Sequence, residues 1–440
     1  MEKIAPIKPG PKRARVTILG LDDPGDLGPA TLGLLARAKL VAGPERLLKP
    51  VLGYLGEGVR TIPLNKGLGD WLEEVKSHLD QADQAGQAEL AGQGGQHDLA
   101  EAVVLADGDP NFFGLGARVI KALAGHEVTM KPAATTVQKA FARLGVSWAG
   151  AEVVSLHGRQ DFAPFFSAIF RAGQTGGSGF VAVYTDAKNN PGRLAEGLIE
   201  RGQTNWKMAV FQELGLAGEA VWSGDLAQAQ KTKFKALNLA VLERTKPPEV
   251  LTLGAAESAY DHQAGLITKS EVRGAVLGLL ELSGRETLWD LGCGSGSVAL
   301  EAGMLLRHGQ ILAVEKDPAR AAQARENRSR YGAAHVKIVE GRALETLPDL
   351  PRPDRVFVGG GGIELEATLR GVLGFLAPGG VVVAAVVRLD SLDAAISCLS
   401  EAKLPLSVTQ IFASRGEPLV GSFFLKPINP VFLIKAKIPS

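Results

Sequence analysis

The stretch ETLWDLGCGSGSVALEAG, residues 286 to 303, constrains this chain most, because it specifies a strand, a glycine turn and a helix in one run. The apolar segment brings Asp290 to the C-terminal end of a strand. Gly292, Gly294 and Gly296 then let the backbone curl close to a ligand, and the helix starts behind Ser297. The spacing is G-x-G-x-G, with Ser297 where a dinucleotide fingerprint places its last glycine, and that departure counts against NAD. A second strand, ILAVE (311 to 315), ends on Glu315, where a carboxylate can accept hydrogen bonds from both hydroxyls of a ribose.

The same rhythm recurs along the chain. PDRVFVGGGG (353 to 362) reads as a buried strand opening into glycines, and LAPGGVVVAAVV (376 to 387) as a turn followed by another apolar strand. Near the start, VTILGL reads as a buried strand, and PATLGLLARAKLVAG sets Leu32, Leu35, Ala36 and Leu40 on the inner face of a helix. AVVLADGDPNFFGLGARVIKALAG (102 to 125) gives strand, turn at Gly108-Asp109-Pro110, and helix, and residues 181 to 202 repeat the pattern. Residues 80 to 98, rich in Gln, Ala and Gly, read as a frayed helix end and a flexible loop. Alternating strands and helices predict an α/β protein. The aperiodic stretch 244 to 265, stiffened by Pro247-Pro248, is the natural joint, dividing the chain into modules at 14–245 and 254–437.

Composition removes several classes of function. Lys plus Arg total 48 against 47 Asp plus Glu, a net charge of +1, so no global field draws the chain to nucleic acid or an anionic membrane. The two cysteines, Cys293 and Cys398, exclude a disulfide framework and fit a reduced, cytoplasmic setting. The basic lead-in through Arg15 has no apolar segment behind it, and no apolar run approaches the roughly 20 residues of a membrane span. No metal site is read from the spacing of potential ligands.

TKSEVR (268 to 273), WDLGCGSGSVALEA, AVEKD, GRALETLP, PDRVFVGGGG and LAPGGVVV stand in the order found in the decarboxylating precorrin-6B C15-methyltransferases, which residues 254 to 436 resemble. The resemblance implies a Rossmann-like class I fold that binds S-adenosylmethionine (SAM). By motif it assigns cofactor contacts to Thr268, to Gly292, Cys293, Gly294, Ser295 and Gly296 on the turn, to Glu315 at the ribose and to Ala343 near the adenine. Cys293 reads as a small side chain that fits the turn. Arg342 departs from the family, which has an acidic residue there.

LGLDDPGDLGPATLGLLARAKLVAGPERLL, VVLADGDPNFFGLGARV, PAATTVQKAFARLG, VSLHGR, YTDAKNNP and Glu213-Leu214-Gly215 resemble the tetrapyrrole methylase family, closest to its C5-methyltransferase branch. This implies a two-lobed α/β module with a SAM site built from Gly108, Asp109, Pro110, Thr135, Thr136, Thr185, Asp186, Leu214 and Gly215. Asp109 has a second reading, as the cap of the next helix. His157 has two readings, a general base or a turn residue that anchors Arg159, and the second is the expectation because the sequence names no partner for it.

Together the modules resemble the fused precorrin-6B C5,15-methyltransferases of cobalamin biosynthesis. The implied reaction is SAM-dependent methylation of a reduced tetrapyrrole at C5 and C15, with decarboxylation of the C12 acetate. A macrocycle rimmed with carboxylates calls for guanidinium anchors, and Arg273, Arg388 and Arg415, in or beside motif segments, are the candidates. The expected partners are the tetrapyrrole and further copies of the chain, with no nucleic acid or membrane, and two SAM sites per chain. The alternatives are an RNA or protein methyltransferase, or a fusion in which one module is a non-catalytic cofactor-bound scaffold, with the Arg342 site the candidate for loss.

Overall fold

A computed structural model describes residues 14–22, 27–90, 101–174, 177–263, 265–360 and 362–439, the side chains of 83–90 excepted. The basic lead-in through Arg13, residues 91 to 98 of the Gln-rich stretch, residues 23 to 26 of the LGLDDPGD motif and Gly361 lie outside the described residues. The chain divides into two compact units, residues 1–148 with 211–220, and residues 149–210 with 221–440.

The first unit runs β1 (Arg15–Leu21), α1 (Pro29–Arg37), β2 (Leu40–Gly43), α2 (Glu45–Val51), β3 (Arg60–Pro63), α3 (Leu68–Leu90), β4 (Glu101–Asp107), α4 (Gly116–Ala122), β5 (Glu127–Lys131) and α5 (Thr136–Leu144). Its sheet has the order β3-β2-β4-β1-β5 with every pairing parallel. Buried on both faces, β1 reads as the apolar run VTILGL, which is why it was legible as a strand. The predicted helix over 29–43 is shorter. It stops at Ala38, and Leu40, expected on its inner face, belongs to β2, because the apolar LVAG is needed beside β4. The predicted fraying over 80–90 is also corrected. Ala, Gln and Glu are good helix formers, and α3 continues through Leu90.

The second unit begins with β6 (Glu152–Ser155), α6 (Ala163–Ala172), β7 (Phe180–Tyr184), α7 (Pro191–Glu200), β8 (Trp206–Gln212), β9 (Ala220–Asp225), α8 (Leu226–Lys231) and β10 (Asn238–Arg244), in the sheet order β6-β7-β10-β8-β9. It continues with α9 (Ser270–Leu279), β11 (Thr287–Leu291), α10 (Ser297–Leu305), β12 (Gln310–Glu315), α11 (Pro318–Arg330), β13 (Val336–Glu340), α12 (Ala343–Thr346), β14 (Arg355–Gly359), α13 (Leu365–Phe375), β15 (Val381–Val386), α14 (Leu389–Glu401), β16 (Leu406–Ile411), β17 (Ser414–Leu419), β18 (Ser422–Pro427) and β19 (Val431–Lys437). The order β13-β12-β11-β14-β15-β19-β16 is parallel through β15, and β19 is antiparallel to both its neighbours. This is a Rossmann-like sheet, and the ends of β11, β12, β13, β14 and β15 open on one edge, where ligands of such sheets bind.

The aperiodic joint does not separate compact units, since the second unit runs through it. Phe170 of α6 belongs to the same core cluster as Val276 and Leu288, its ring lies 4.1 Å from that of His335, and Ser167 donates to the carbonyl of Gly309 at 3.0 Å. Among the described residues no helix is long and apolar enough to cross a membrane.

Candidate functional site

The turn after β11 has the geometry its glycines predict. Gly292, Gly294 and Gly296 have φ of +76°, +56° and +79°, a region in which L side chains are strained. A Cβ on Gly292 would stand 2.7 Å from the carbonyl oxygen of Gly359, so β11 and β14 meet there through backbone alone. A Cβ on Gly294 would meet nothing within 4 Å, so that side of the turn is open.

Two carboxylates lie under the turn. Asp290 is completely buried; its Oδ2 accepts from Ala299 N–H at 3.0 Å, and its Oδ1 has no partner. Burial, reinforced by the charge of Glu315 and opposed by the Ala299 hydrogen bond, pushes its pKa up to about 7. Glu315, 2% exposed, accepts from Gly294 N–H through Oε2 at 2.9 Å and from Asp317 N–H through Oε1 at 2.9 Å, with Arg320 at 3.2 Å. The ribose candidate is thus tied to the turn it would serve, and Oε2 keeps acceptor capacity. The Ser295 hydroxyl is also buried without a partner. Cys293 is buried, and burial beside Asp290 and Glu315 raises its thiol well above the usual range, so it stays neutral and serves as a small space-filling side chain.

Ala343 opens α12 just past the end of β13, where Gly341 N–H bonds the Glu315 carbonyl at 2.9 Å. Arg342 pairs with Glu364 and lies 3.6 Å from Glu345. The departure from the family motif therefore has local partners for its charge.

The three proposed anchors have different fates. Arg273 is corrected: it is wholly buried, donates to Glu301 at 2.8 Å and to the carbonyls of Thr268 and Ala255, and its guanidinium lies 5.1 Å from the Tyr260 ring centre. Tyr260 O–H and Gly254 N–H complete the cluster around Glu301 at 2.8 and 3.0 Å. Such a group holds α9 to α10, and its complete burial keeps it from a substrate. Thr268 takes part through its backbone carbonyl. Arg415 is corrected too, since it forms a fork with Glu257, both bonds 2.8 Å, and bonds Glu271 at 2.8 and 2.7 Å. Its hydrogen bonds hold both carboxyls near pKa 2. Arg388 alone projects into solvent, at the end of β15 on the same edge as the glycine turn, with Asp390 bonded to its Nε at 2.9 Å.

In the first unit, Gly108 has φ +56°, bonds the Leu21 carbonyl at 2.9 Å and would place a Cβ 2.8 Å from Ala134 O. Pro110 follows, buried in the turn. Asp109 accepts from Asn111 N–H at 2.9 Å; it caps this turn, and the helix-cap reading fails because α4 starts only at Gly116. Thr135 forms a capping box with Gln138, and Thr136 opens α5 behind it. Lys139, one turn on, bonds Asp22 at 2.7 Å and would lie 3.1 Å from a Cβ on Gly215, which has φ +82°. Gly215 N–H bonds Glu219 at 2.8 Å, which fixes the Leu214-Gly215 loop.

In the second unit, the buried Thr185 hydroxyl donates to Asn238 at 2.6 Å. Asp186 accepts N–H bonds from Asn189, Gly158 and Lys188 at 2.6 to 2.8 Å. Burial would raise its pKa, and these bonds lower it overall. His157 is exposed, and Arg159 donates to the carbonyl of Ser155 at 2.8 Å.

Sequence reasoning missed Glu301 and Lys139. A lone acid inside VALEAGML was the available signal for Glu301, since a charge on an apolar helix needs a buried partner; nothing singled out Lys139.

Comparison with known proteins adds an independent line. Residues 258–437 match the precorrin methyltransferase domain, and residues 19–230 the tetrapyrrole (corrin/porphyrin) methylases. A precorrin-6Y C(5,15)-methyltransferase [decarboxylating] of Sinorhizobium sp is 30% identical over 423 residues, 94% of each chain. A probable cobalt-precorrin-6B C(15)-methyltransferase (decarboxylating) of Pyrobaculum aerophilum is 40% identical over 172 residues, 39% of this chain and 88% of its own. The crystal structure of a precorrin-6y C5,15-methyltransferase from Geobacter metallireducens is 36% identical, covers 42% of this chain and 98% of that one, and has a TM-score of 0.41.

Proposed function

The chain belongs to the precorrin-6Y C5,15-methyltransferase (decarboxylating) family, and from that premise we propose that it methylates a precorrin-6-type tetrapyrrole at C5 and C15 and removes the carboxyl of the C12 acetate, as a step of cobalamin biosynthesis. Residues 14–245 carry the C5 transfer, and residues 254–437 carry the C15 transfer with decarboxylation. The observation that carries the reading is the likeness to one two-function enzyme over 94% of both chains.

SAM is the methyl donor, and we assign one site to each module. The residues present in the C-terminal module fit it. The buried Asp290 Oδ1 and Ser295 Oγ lack partners, and the turn is open beside Gly294. Glu315 would accept the ribose hydroxyls, the backbone of 292–296 would face the amino-acid portion, and Ala343 would flank the adenine. Bound there, SAM supplies a methyl group made electrophilic by its sulfonium. The chain's own work is to place an electron-rich ring carbon in line with that methyl and to exclude water. No strongly activated nucleophile is required, which agrees with the neutral Cys293 thiol. Arg388, exposed on the same edge, would hold a carboxylate of the macrocycle.

In the N-terminal module, Gly108, Asp109 and Pro110 would form one wall and Thr135 and Thr136 the helix start facing the cofactor. Leu214 and Gly215 would contribute backbone, and Thr185 and Asp186 would shape their own loop in the second unit. Because their side chains are engaged in caps and turns, these residues act by shaping backbone. We further propose that the enzyme works in the cytoplasm, without nucleic acid, as a homo-oligomer. The near-neutral net charge and two free cysteines support the first two of these statements.

The test is turnover of the full chain with SAM and precorrin-6-type macrocycles, metal-free or cobalt-bound, read by mass spectrometry. The expected product has gained two methyl groups and lost one carbon dioxide. A product that keeps every carboxylate would refute the assignment of decarboxylation.

A further inference from the structure

The segments after β6 and β7 leave their sheet on one edge, because the two strands pair in parallel from Glu152 with Val181 to Ser155 with Tyr184. Two tethers lock these segments, 156–162 and 185–190, to each other. Asn189, 1% exposed, donates through Nδ2 to the carbonyls of Leu156 at 2.7 Å and Arg159 at 2.9 Å, and Asp186 accepts from Gly158 N–H at 2.7 Å. The locked pair presents three cations: Arg159 and Lys188 are exposed on the two segments, and Arg193 on the first turn of α7. Arg159 donates its Nε to the carbonyl of Ser155 at 2.8 Å. Arg193 lies 5.2 Å from the Phe162 ring centre and reaches the carbonyl of Lys188 at 3.3 Å.

Each arginine is thus positioned through part of its fork, by groups that carry no charge, and among the described residues none of the three cations has an ion pair. The two acids of the segments are turned to backbone, Asp186 to three N–H groups and Asp161 to Ala163 N–H at 3.0 Å. A solitary surface cation is commonplace. Guanidinium groups already held in place are different, because a planar fork that is pre-organised loses little freedom when its remaining N–H groups take a carboxylate. The carboxyl ends of parallel strands are also where ligands of open α/β sheets bind, and the N-terminal end of α7 adds a dipole that favours negative charge.

We propose that Arg159, Lys188 and Arg193 are the anchors that hold carboxylates of the macrocycle during C5 transfer. The inference rests on the assignment of that transfer to residues 14–245. Three cations spread over two locked loops suit several carboxylates on the rim of one rigid ring, and a guanidinium meets a carboxylate in plane with two parallel bonds. Arg273 and Arg415 show the opposite condition, since glutamates already occupy them. The exposed Asp161 and Glu196 interrupt the patch, which is too small for the run of phosphate contacts that holds RNA.

The proposal is tested on the full chain with SAM carrying a labelled methyl and a precorrin-6-type macrocycle, the C5 and C15 methyl groups being resolved by NMR. Arg159→Gln/Arg193→Gln should raise KM for the macrocycle in C5 transfer by about tenfold or more, with KM for SAM and C15 transfer unchanged, and Arg159→Lys/Arg193→Lys should recover part of the loss. Phenylglyoxal labelling of wild type, read by peptide mass spectrometry, needs no variant: Arg159 and Arg193 should react, and the macrocycle should protect both while SAM alone does not. An unchanged KM for the macrocycle, a KM for SAM that rises in step with it, or labelling that the macrocycle does not slow would overturn the inference. So would protection by an RNA oligonucleotide and not by the macrocycle. A wild type that transfers no methyl to C5 would instead refute the assignment of that reaction, and the labelling would still decide whether the ring binds at these loops.

Discussion

The two glycine-built sites differ in what their side chains have left to give. Around Gly292–Gly296, Asp290 Oδ1 and Ser295 Oγ are buried and unpartnered, and Glu315 keeps acceptor capacity. Around Gly108, by contrast, Asp109 closes a turn and Thr135 a capping box, while in the second unit Asp186 gathers three backbone donors and Thr185 is bonded to Asn238. In the proposed reading, the first arrangement would read a ligand with side-chain acceptors, and the second would hold loops in shape so that backbone could read it. A buried unsatisfied polar atom costs stability; two lie under the C-terminal turn, whereas the Asp186 loop has the one at Asn189 Oδ1.

The largest effect expected from breaking this contrast lies under the C-terminal site. Arg273→Met would leave Glu301 buried with only Tyr260 and Gly254 as donors, a loss of about 3–5 kcal/mol in chemical denaturation. C15 transfer should fall with it while C5 transfer survives. A loss below about 1 kcal/mol would mean that the cluster relaxes or admits water.

Next comes the pH dependence of Asp290. Its folded pKa of about 7 lies well above the usual carboxylate range, so the folded state binds more protons across that window, and stability drops as pH rises through it. The contribution is fully present below about pH 4 and lost above about pH 7. Asp290→Asn should remove this slope, worth on the order of 2–4 kcal/mol, in ligand-free protein. Identical pH profiles for the two proteins would show that Asp290 is not held protonated.

The smallest effect sharpens the other half of the contrast. Thr135→Ala should cost about 1 kcal/mol by loss of the cap, with Thr135→Ser close to wild type and KM for SAM in C5 transfer unchanged. A raised KM at unchanged stability would make the hydroxyl a cofactor contact.

Sequence revealed what is local. A G-x-G-x-G turn between an apolar strand and a helix encodes its own geometry, so Gly292, Gly294, Gly296 and the position of Glu315 could be read directly. The fate of an arginine is not local. Arg273, Arg388 and Arg415 were equivalent as letters; one lies in a buried cluster with Glu301, one is locked by two glutamates, and one is exposed. The first two outcomes depend on partners 28 to 158 positions away, whereas Arg388 pairs with Asp390, two positions on. The joint at Pro247-Pro248 was legible as a break in periodicity, but periodicity carries no record of Phe170 packing beyond it against His335.

The central claim is two independent SAM sites, one in each module, and titration calorimetry of wild type and Glu315→Ala tests it most directly. Wild type should bind two equivalents. Glu315→Ala should keep one site unchanged and lose roughly ten- to a hundredfold in affinity at the other, the equivalent of about 1.5–3 kcal/mol for hydrogen bonds to a charged group. A single equivalent in wild type that Glu315→Ala leaves untouched would contradict the account.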